Sequence, residues 1–240
     1  MYRKNHFYDI LGVMHWLKQY QLLCLDFDGL LVSTEPLHFL AYKRMCHHRG
    51  YVLTWNFTEY CYFAHMSTKS LQEEVYRALP GLYAQEPRWA VLYEEKKRHY
   101  LDILNEKPIE LLPGVEEFLC YIKQAHIPHV VVTNAFAEQV DAIKQEIPLL
   151  QQISHWITRE DSPAPKPAPD PYLEALRRFQ LPGHAVAGFE DSEKGIQSLI
   201  QAGITPICVS MILAPSMQQE LKKQGVRCFS SFYDVMTMEL

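Results

Sequence analysis

The chain has 240 residues, of which 48% are hydrophobic and 21% charged, a composition that excludes a disordered protein and a long coiled coil. The formal net charge of -5 argues against a general binder of nucleic acid or of anionic membranes, because both need a basic surplus. The six cysteines include no C-x-x-C pair, which predicts reduced thiols, no zinc site and a cytoplasmic protein.

Residues 1–19 are expected to form a short, helical N-terminal extension. Their apolar stretch is brief, is followed by His15 and Lys18, and lacks a small-residue cleavage pattern, so we do not expect a signal peptide. No later stretch approaches the roughly 20 apolar residues that span a bilayer, so no membrane partner is expected.

The next segment is an apolar run, Leu22 to Leu25, that ends in Asp26 and Asp28 and is followed by Gly29. It predicts a buried strand with both acids at its C-terminal tip, where open α/β sheets bind ligands. Two carboxylates this close repel each other and favour a cation or a shared proton. A surface turn is the alternative, because Asp-x-Asp-Gly is also typical of turns.

The residues from about 35 to 106 show helical periodicity almost throughout. The first helix is expected to begin near Leu37 and to stop before Gly50. Further helices are expected at about 57–63, at about 67–79, where Pro80 and Gly81 should end the third, and at about 87–104.

Strand and helix patterns alternate after this block. Apolar runs predict strands at His129–Val132, 185–189 and 205–209, with a weaker patch at 153–157. Such alternation predicts an α/β protein whose parallel sheet is covered by helices on both faces.

Polar side chains follow several of these strands. They comprise a hydroxyl, an amide, a lysine and two acids: Thr133, Asn134, Lys166, Glu190 and Asp191. The lysine lies in a proline-rich segment that could instead be a stiff linker. Because the tips of parallel strands share one edge of a sheet, we expect these groups to converge with the first two aspartates.

The converged set suits phosphoryl transfer. Asp26 would attack phosphorus and form an aspartyl phosphate, while Asp28 would donate a proton to the leaving oxygen and later take one from water. Carboxylate and water oxygens favour Mg²⁺ over zinc. Glu190 and Asp191 would hold this cation.

The same reasoning places the phosphate-binding groups. A transferred phosphoryl group needs positive charge and hydrogen-bond donors around its oxygens. Thr133, Asn134 and Lys166 would supply them.

These residues occur in four ordered motifs, which are Asp26-Phe27-Asp28-Gly29, Thr133-Asn134, Lys166-Pro167 with Asp170-Pro171-Tyr172, and Gly188-Phe189-Glu190-Asp191-Ser192. Together they resemble the haloacid dehalogenase-like hydrolases, in particular the β-phosphoglucomutase-like branch. The resemblance spans about residues 22–209.

The resemblance implies a Rossmann-like, doubly wound core of residues 20–34 and 107–240, with an all-helical cap of residues 35–106 that moves to close over the site. It makes Asp26 the nucleophile and Asp28 the general acid and base. It also implies that the Asp26 carboxylate, the Asp28 backbone carbonyl and Asp191 bind magnesium, with Glu190 beside or behind the ion.

The residues that the chain shares with each branch of this family, and those that it lacks, indicate which reaction to expect. Related dehalogenases and phosphonate-cleaving enzymes lack the second aspartate, so Asp28 argues against both. β-Phosphoglucomutases carry a Lys-Gly pair and a nearby Arg in a cap loop, which grip a distal phosphate. The corresponding segment here, residues 64–69, lacks them. This absence favours a phosphatase.

Three residues of the expected cap are candidates for substrate contacts: His38, His65 and Lys69. For a lone histidine at the start of a helix, packing or surface exposure is an equal alternative.

We therefore expect a cytoplasmic, magnesium-dependent phosphatase that hydrolyses a small phosphorylated metabolite, such as a sugar phosphate. A hexose-phosphate mutase is the first alternative, and a non-catalytic binding or regulatory protein on the same fold is the second. No nucleic-acid partner is expected, and we expect a monomer, with an oligomer as the alternative.

Overall fold

A computed structural model describes residues 14–66 and 70–238, which form two compact units. One unit consists of the residues up to Ser33 together with those from Glu110 onward, and the other runs from Thr34 to Ile109. The chain thus leaves the first unit after its first strand, builds the second unit and returns.

The first unit contains a six-stranded parallel sheet in the order β3-β2-β1-β4-β5-β6. Its strands are β1 Leu22–Leu25, β2 His129–Val132, β3 Trp156–Ile157, β4 Val186–Glu190, β5 Thr205–Val209 and β6 Arg227–Phe229. In β1, Cys24 lies opposite Val130 of β2 and Gly188 of β4. The sequence order reverses beside β1, so the central strand tip lies where this kind of sheet forms a crevice.

The second unit is entirely helical in its described part. Its α-helices are α1 Glu35–His48, α2 Phe57–Cys61, α3 Leu71–Ala78, α4 Pro80–Gln85 and α5 Trp89–Glu106, and a π-helical turn spans Tyr62–Met66. Capping boxes start α2 at Asn56 and α3 at Ser70, where each side chain accepts the N3 backbone N–H. An aromatic-rich core holds this unit together, with Tyr42, Trp55 and Tyr60 among its buried side chains.

Helices cover both faces of the sheet. They are α6 Val115–Gln124, α7 Ala137–Glu146, α8 Asp170–Phe179, α9 Glu193–Gln201, α10 Pro215–Lys223 and α11 Phe232–Met236. Short 3-10 turns lie at Met14–Gln19, Leu150–Gln152, Arg159–Asp161 and Gly183–Ala185.

Burial of the strands on both sides explains their continuous apolar sequences. Every residue of β1 is buried, and so is every residue of β4. Cys24 belongs to a core cluster with Tyr172 of α8 and Leu199 of α9. Phe189, one residue after Gly188 along β4, instead packs against Phe118 of α6 and Phe232 of α11. The predicted α/β class, a doubly wound sheet with an inserted helical domain, is confirmed.

Some expected boundaries were wrong. Helix α3 ends at Ala78, and Pro80 does not end a helix but begins α4. Proline is suited to this first position, because the backbone N–H that it lacks would have no partner within the helix. Strand β6 and helices α10 and α11 were not expected. The residues before Met14 lie outside the described part of the chain, and within that part no helix has the length and apolarity needed to cross a bilayer.

Gly188 provides a test of the packing between β4 and α9. A Cβ atom there would lie 2.1 Å from Cδ2 of Leu199, which is fully buried. We expect Gly188→Ala to lower the free energy of unfolding by about 1–3 kcal/mol, measured by urea denaturation. In a Leu199→Ala background the same change should cost much less, because the clashing methyl groups are gone. Equal costs in the two backgrounds would contradict the packing argument.

Candidate active site

The tip of β1 carries Asp26 into a buried position. Its backbone N–H donates to the carbonyl oxygen of Phe189 at 3.0 Å, which continues the pairing of β1 with β4 one residue beyond the strand. The side chain of Asp26 is largely buried. The first aspartate therefore lies at the end of a central strand, as the apolar run predicts.

A tight turn follows directly. The carbonyl oxygen of Phe27 accepts the N–H groups of Leu30, Leu31 and Val32 at 3.3, 2.9 and 3.2 Å. Asp28 is half-buried in this turn and bridges to Val32. The acids thus end a buried strand, as predicted, and the turn that follows does not place Asp26 on the surface.

Gly29 is required at this position for two reasons. Its φ of +81° is one that side chains with a Cβ rarely adopt. A Cβ atom here would also lie 2.2 Å from Oδ2 of Asp191. The absence of a side chain lets the carboxylate of Asp191, which follows β4, approach the turn that follows β1.

Lys166 joins the tips of three strands through one ammonium group. Its Nζ donates to Oδ1 of Asp26 at 2.5 Å, to Oε1 of Glu190 at 2.6 Å and to the carbonyl oxygen of Val132 at 2.7 Å. Lys166 is only 7% exposed, so these bonds use all three of its protons within the protein. The proline-rich segment therefore delivers a fixed cation and does not act as a linker.

Asn134 fastens the loop that carries this lysine. Its Oδ1 accepts the backbone N–H of Lys166 at 3.0 Å, and its Nδ2 donates to the backbone carbonyl of Lys166 at 3.3 Å. The side chain thus holds the loop from both sides of one residue. One Nδ2 hydrogen is not used by this pair of bonds.

Thr133 follows β2 and is buried. Its hydroxyl oxygen accepts the N–H of Ala135 at 2.9 Å, and its own N–H donates to the carbonyl oxygen of Ile157 at 2.9 Å. The first bond orients the hydroxyl without using its proton.

Oε1 of Glu190, which accepts from Lys166, also accepts from the hydroxyl of Tyr172 at 2.5 Å. The Lys166 ammonium lies 4.9 Å from the centre of the Tyr172 ring. Gly195 makes room for the Glu190 carboxylate. A Cβ atom on residue 195 would lie 1.9 Å from the carboxyl carbon of Glu190 and 1.9 Å from its Oε2. Lysine, glutamate and tyrosine form one buried hydrogen-bonded group.

Three buried acids can hold a metal ion. One carboxylate oxygen from each of Asp26, Glu190 and Asp191 lies within 4.8 Å of the others. An all-oxygen donor set of this kind fits magnesium chemistry better than zinc chemistry. The close approach of Asp191 to Gly29 supports the same fit.

The electrostatics of the group also favour an added cation. Burial raises the pKa of Asp26, and the charge of Glu190 raises it further, while the Lys166 ammonium opposes both effects. Burial alone would lower the pKa of Lys166, but the charges of Asp26 and Glu190 outweigh it and raise that pKa above its ordinary range. Lys166 is therefore a permanent cation, and further positive charge beside Asp26 would favour its ionised form.

The helical unit contains a second buried lysine. Nζ of Lys96 lies 2.6 Å from Nδ1 of His38, and Lys96 is only 3% exposed. The ring of His38 stacks on that of Tyr100, with centroids 4.1 Å apart and an interplanar angle of 4°. Of the other two candidates in this unit, Lys69 and the side chain of His65 lie outside the described residues.

Sequence reasoning missed the roles of Tyr172 and Lys96. Lys96 occupies the apolar stripe of α5 between Leu92 and Tyr100 at four-residue spacing, and this spacing could have revealed its burial. The bond between Tyr172 and Glu190 has no comparable signal, because it depends on how α8 packs against β4.

Comparisons with known proteins agree with this geometry. The model of the haloacid dehalogenase-like hydrolase family matches residues 20–203. A CbbY protein of Rhodobacter capsulatus is 29% identical over 202 residues, which cover 81% of this chain and 85% of the relative. A phosphorylated carbohydrates phosphatase of Thermotoga maritima is 27% identical, with 76% and 81% covered.

Among solved structures, a family IA haloacid dehalogenase-type hydrolase from Entamoeba histolytica superposes with a TM-score of 0.73 at 23% identity, covering 90% of this chain and 97% of that one. The fold is therefore shared, and the family model matches well over half of the chain. The expected enzyme class, a hydrolase, is confirmed with the expected family. This chain, with its acids and lysine gathered at the tips of parallel strands, belongs to the haloacid dehalogenase-like hydrolases.

Proposed function

We propose that the protein is a magnesium-dependent phosphatase that hydrolyses a small phosphorylated metabolite through an aspartyl phosphate on Asp26. One observation carries the proposal, namely the buried Asp26 carboxylate bonded through Oδ1 to the Lys166 ammonium, with Asp191 and Glu190 beside it. Phosphoric monoester hydrolysis fits the family, and the Thermotoga maritima relative, named as a phosphatase of phosphorylated carbohydrates, suggests a sugar phosphate or a similar metabolite.

The first half of the reaction uses the two aspartates. Oδ1 of Asp26 accepts from Lys166, and we infer that Oδ2, which this bond does not use, attacks phosphorus. A bond forms between this oxygen and phosphorus, the ester P–O bond breaks, and the carboxylic acid of Asp28 protonates the leaving alcohol.

The second half restores the enzyme. The Asp28 carboxylate takes a proton from water, and the water oxygen forms a bond to the phosphorus of the aspartyl phosphate. The bond between phosphorus and the Asp26 oxygen breaks, its electron pair returns to the Asp26 carboxylate, and inorganic phosphate leaves. The same carboxyl group thus serves as acid and then as base.

The remaining groups of the site position and stabilise charge. The unused proton of the Thr133 hydroxyl and the unused Nδ2 proton of Asn134 are donors for phosphoryl oxygens. Lys166 supplies a fixed positive charge, and a phosphoryl oxygen that bonds to it would replace one of its three present acceptors. Asp26, Asp191 and Glu190, together with the Asp28 carbonyl, would hold Mg²⁺, which when bound neutralises charge on the phosphoryl oxygens.

The helical unit is proposed to contribute substrate contacts. His38 and Lys96 are its candidates, since they place a histidine and a cation in direct contact. A hexose-phosphate mutase is the second candidate function, because a β-phosphoglucomutase of Bacillus subtilis is also similar to this chain. His65 and Lys69 remain proposals of the same kind.

The two aspartates are tested by Asp26→Asn and Asp28→Asn. With Mg²⁺ and an aryl phosphate, we expect Asp26→Asn to retain no more than about one thousandth of kcat/KM, because the amide is a poor nucleophile. Asp28→Asn should lose roughly a hundredfold to ten-thousandfold, as expected for loss of general acid–base catalysis. Asp141→Asn, which changes an exposed carboxylate on α7, is the matched control and should remain fully active. Full activity of Asp26→Asn would refute the mechanism.

Tyr172→Phe tests the positioning of Glu190. The variant keeps the ring beside Lys166 and removes only the hydroxyl bonded to Oε1 of Glu190. We expect kcat to fall by about tenfold and the Mg²⁺ concentration for half-maximal activity to rise, because a hydrogen bond to a buried charge is lost. The matched control is Tyr233→Phe, which removes an exposed tyrosine hydroxyl bonded to Glu117. If both variants have the same Mg²⁺ dependence as the unmodified enzyme, the positioning role is wrong.

Phosphatase and mutase are separated by the fate of the phosphoryl group. Incubated with β-glucose 1-phosphate, a bisphosphate primer and Mg²⁺, a phosphatase releases inorganic phosphate, and we expect this result. Isomerised sugar phosphate without phosphate release would establish the mutase. A parallel panel of phosphorylated metabolites identifies the preferred leaving alcohol, and failure across that panel and with an aryl phosphate would support the non-catalytic alternative.

A further inference from the structure

The helical unit has an open cleft that has no part in the proposed chemistry. Its volume is about 510 Å³. The lining residues come from α1, from the segment that follows it and from α5: Leu40, Lys43, Arg44, His47, His48, Tyr51, Val52, Leu53 and His99. All of these residues belong to one compact unit and to its described part.

Helical periodicity builds most of this cleft. Leu40, Lys43, Arg44 and His47 recur at three- and four-residue spacing, so they lie along one face of α1. The face that carries Met45 instead enters the aromatic core. The cleft is therefore a consequence of one helix presenting an apolar face inward and a cationic face to this opening.

Charge in the cleft is strongly one-sided. Five of the nine lining side chains are cationic or can become so by protonation, and none of the nine is acidic. Of the nearby acids, Glu106 accepts two bonds from Arg44, at 2.9 and 2.5 Å. Glu95 is bound by Arg49, which is not among the lining residues. Asp102 acts on both His99 and Arg44, and Glu95 also acts on His99.

Two of the histidines lie close together. The ring centroids of His48 and His99 are 5.7 Å apart. Burial lowers the pKa of His99, and the neighbouring His48 lowers it further. A bound anion would oppose both effects, so protonation of His99 and anion binding should favour each other.

The cleft also has an apolar wall. Leu53 is buried at its floor, whereas Val52 beside it is 68% exposed, although β-branched aliphatic side chains are usually covered. Ligand sites combine apolar surface with a few convergent polar groups, and the volume lies within the usual range for small molecules.

We propose that this cleft binds a small organic anion that carries at least two negative charges, of the phosphate or polycarboxylate class. Lys43 and His47, on successive turns of α1, would bind the anion on one side. His48 of α1 and His99 of α5 would bind it on the other. Leu40 and Val52 contact its carbon skeleton. All the residues of the site belong to the helical unit, so it can exist whichever substrate the enzyme hydrolyses.

The test uses the full-length protein without added metal, at constant ionic strength, and follows the ring protons of His48 and His99 by NMR. Methylenediphosphonate represents the phosphate class and citrate the polycarboxylate class. We expect at least one of them to shift both rings saturably and to raise the pKa of His99. The probe that binds more tightly identifies the class.

Variants distinguish a built site from general attraction to positive charge. Lys43→Gln combined with His47→Gln should weaken binding about tenfold or more, because two charge-assisted hydrogen bonds are removed, while aryl phosphatase activity is unchanged. Lys222→Gln combined with Lys223→Gln, on the exposed end of α10, is the matched control and should bind normally. Absence of ring shifts with both probes, or equal weakening by the two double variants, would overturn the proposal.

Discussion

The structure of the sheet edge depends on one buried ammonium group. Removing Lys166 from water is costly, and the cost is offset because all three of its protons reach acceptors, two of them carboxylates. These acceptors are supplied by Asp26 after β1, by Val132 in β2 and by Glu190 in β4. The lysine can be satisfied only when the three strands are in register, so the geometry of the site depends on the sheet.

Two glycines let this group close. Gly29 has a backbone conformation that favours glycine and leaves space for Asp191, and Gly195 at the start of α9 leaves space for Glu190. Both positions lack side chains because a carboxylate occupies the space that a Cβ would fill. Glycine therefore acts here by allowing close approach: Asp191 comes close to the turn that follows β1, and Glu190 comes close to the start of α9.

The sequence predicts most of the sheet and most of the acids and donors, because both depend on local patterns. Apolar runs that end in polar residues mark β1, β2 and β4, and parallel order brings their tips together. Strand β6 escaped prediction because its three residues are only half-buried and show no alternation. Tyr172 and Lys96 escaped because their partners are set by tertiary packing: Tyr172 reaches Glu190 from α8, and Lys96 reaches His38 from another helix.

The adjacent acids Glu190 and Asp191 show how packing gives similar residues different roles. Successive side chains of a strand point in opposite directions, so the two carboxylates leave β4 with different surroundings. Oε1 of Glu190 already accepts from Lys166 and Tyr172, whereas Asp191 reaches the turn at Gly29. Glu190 therefore positions the lysine that neutralises Asp26. Asp191 instead directs its charge toward the turn at Gly29, where a cation would bind. Glu190 shares the Lys166 ammonium with Asp26, and Asp191 is the neighbouring acid that can turn its charge toward a metal ion.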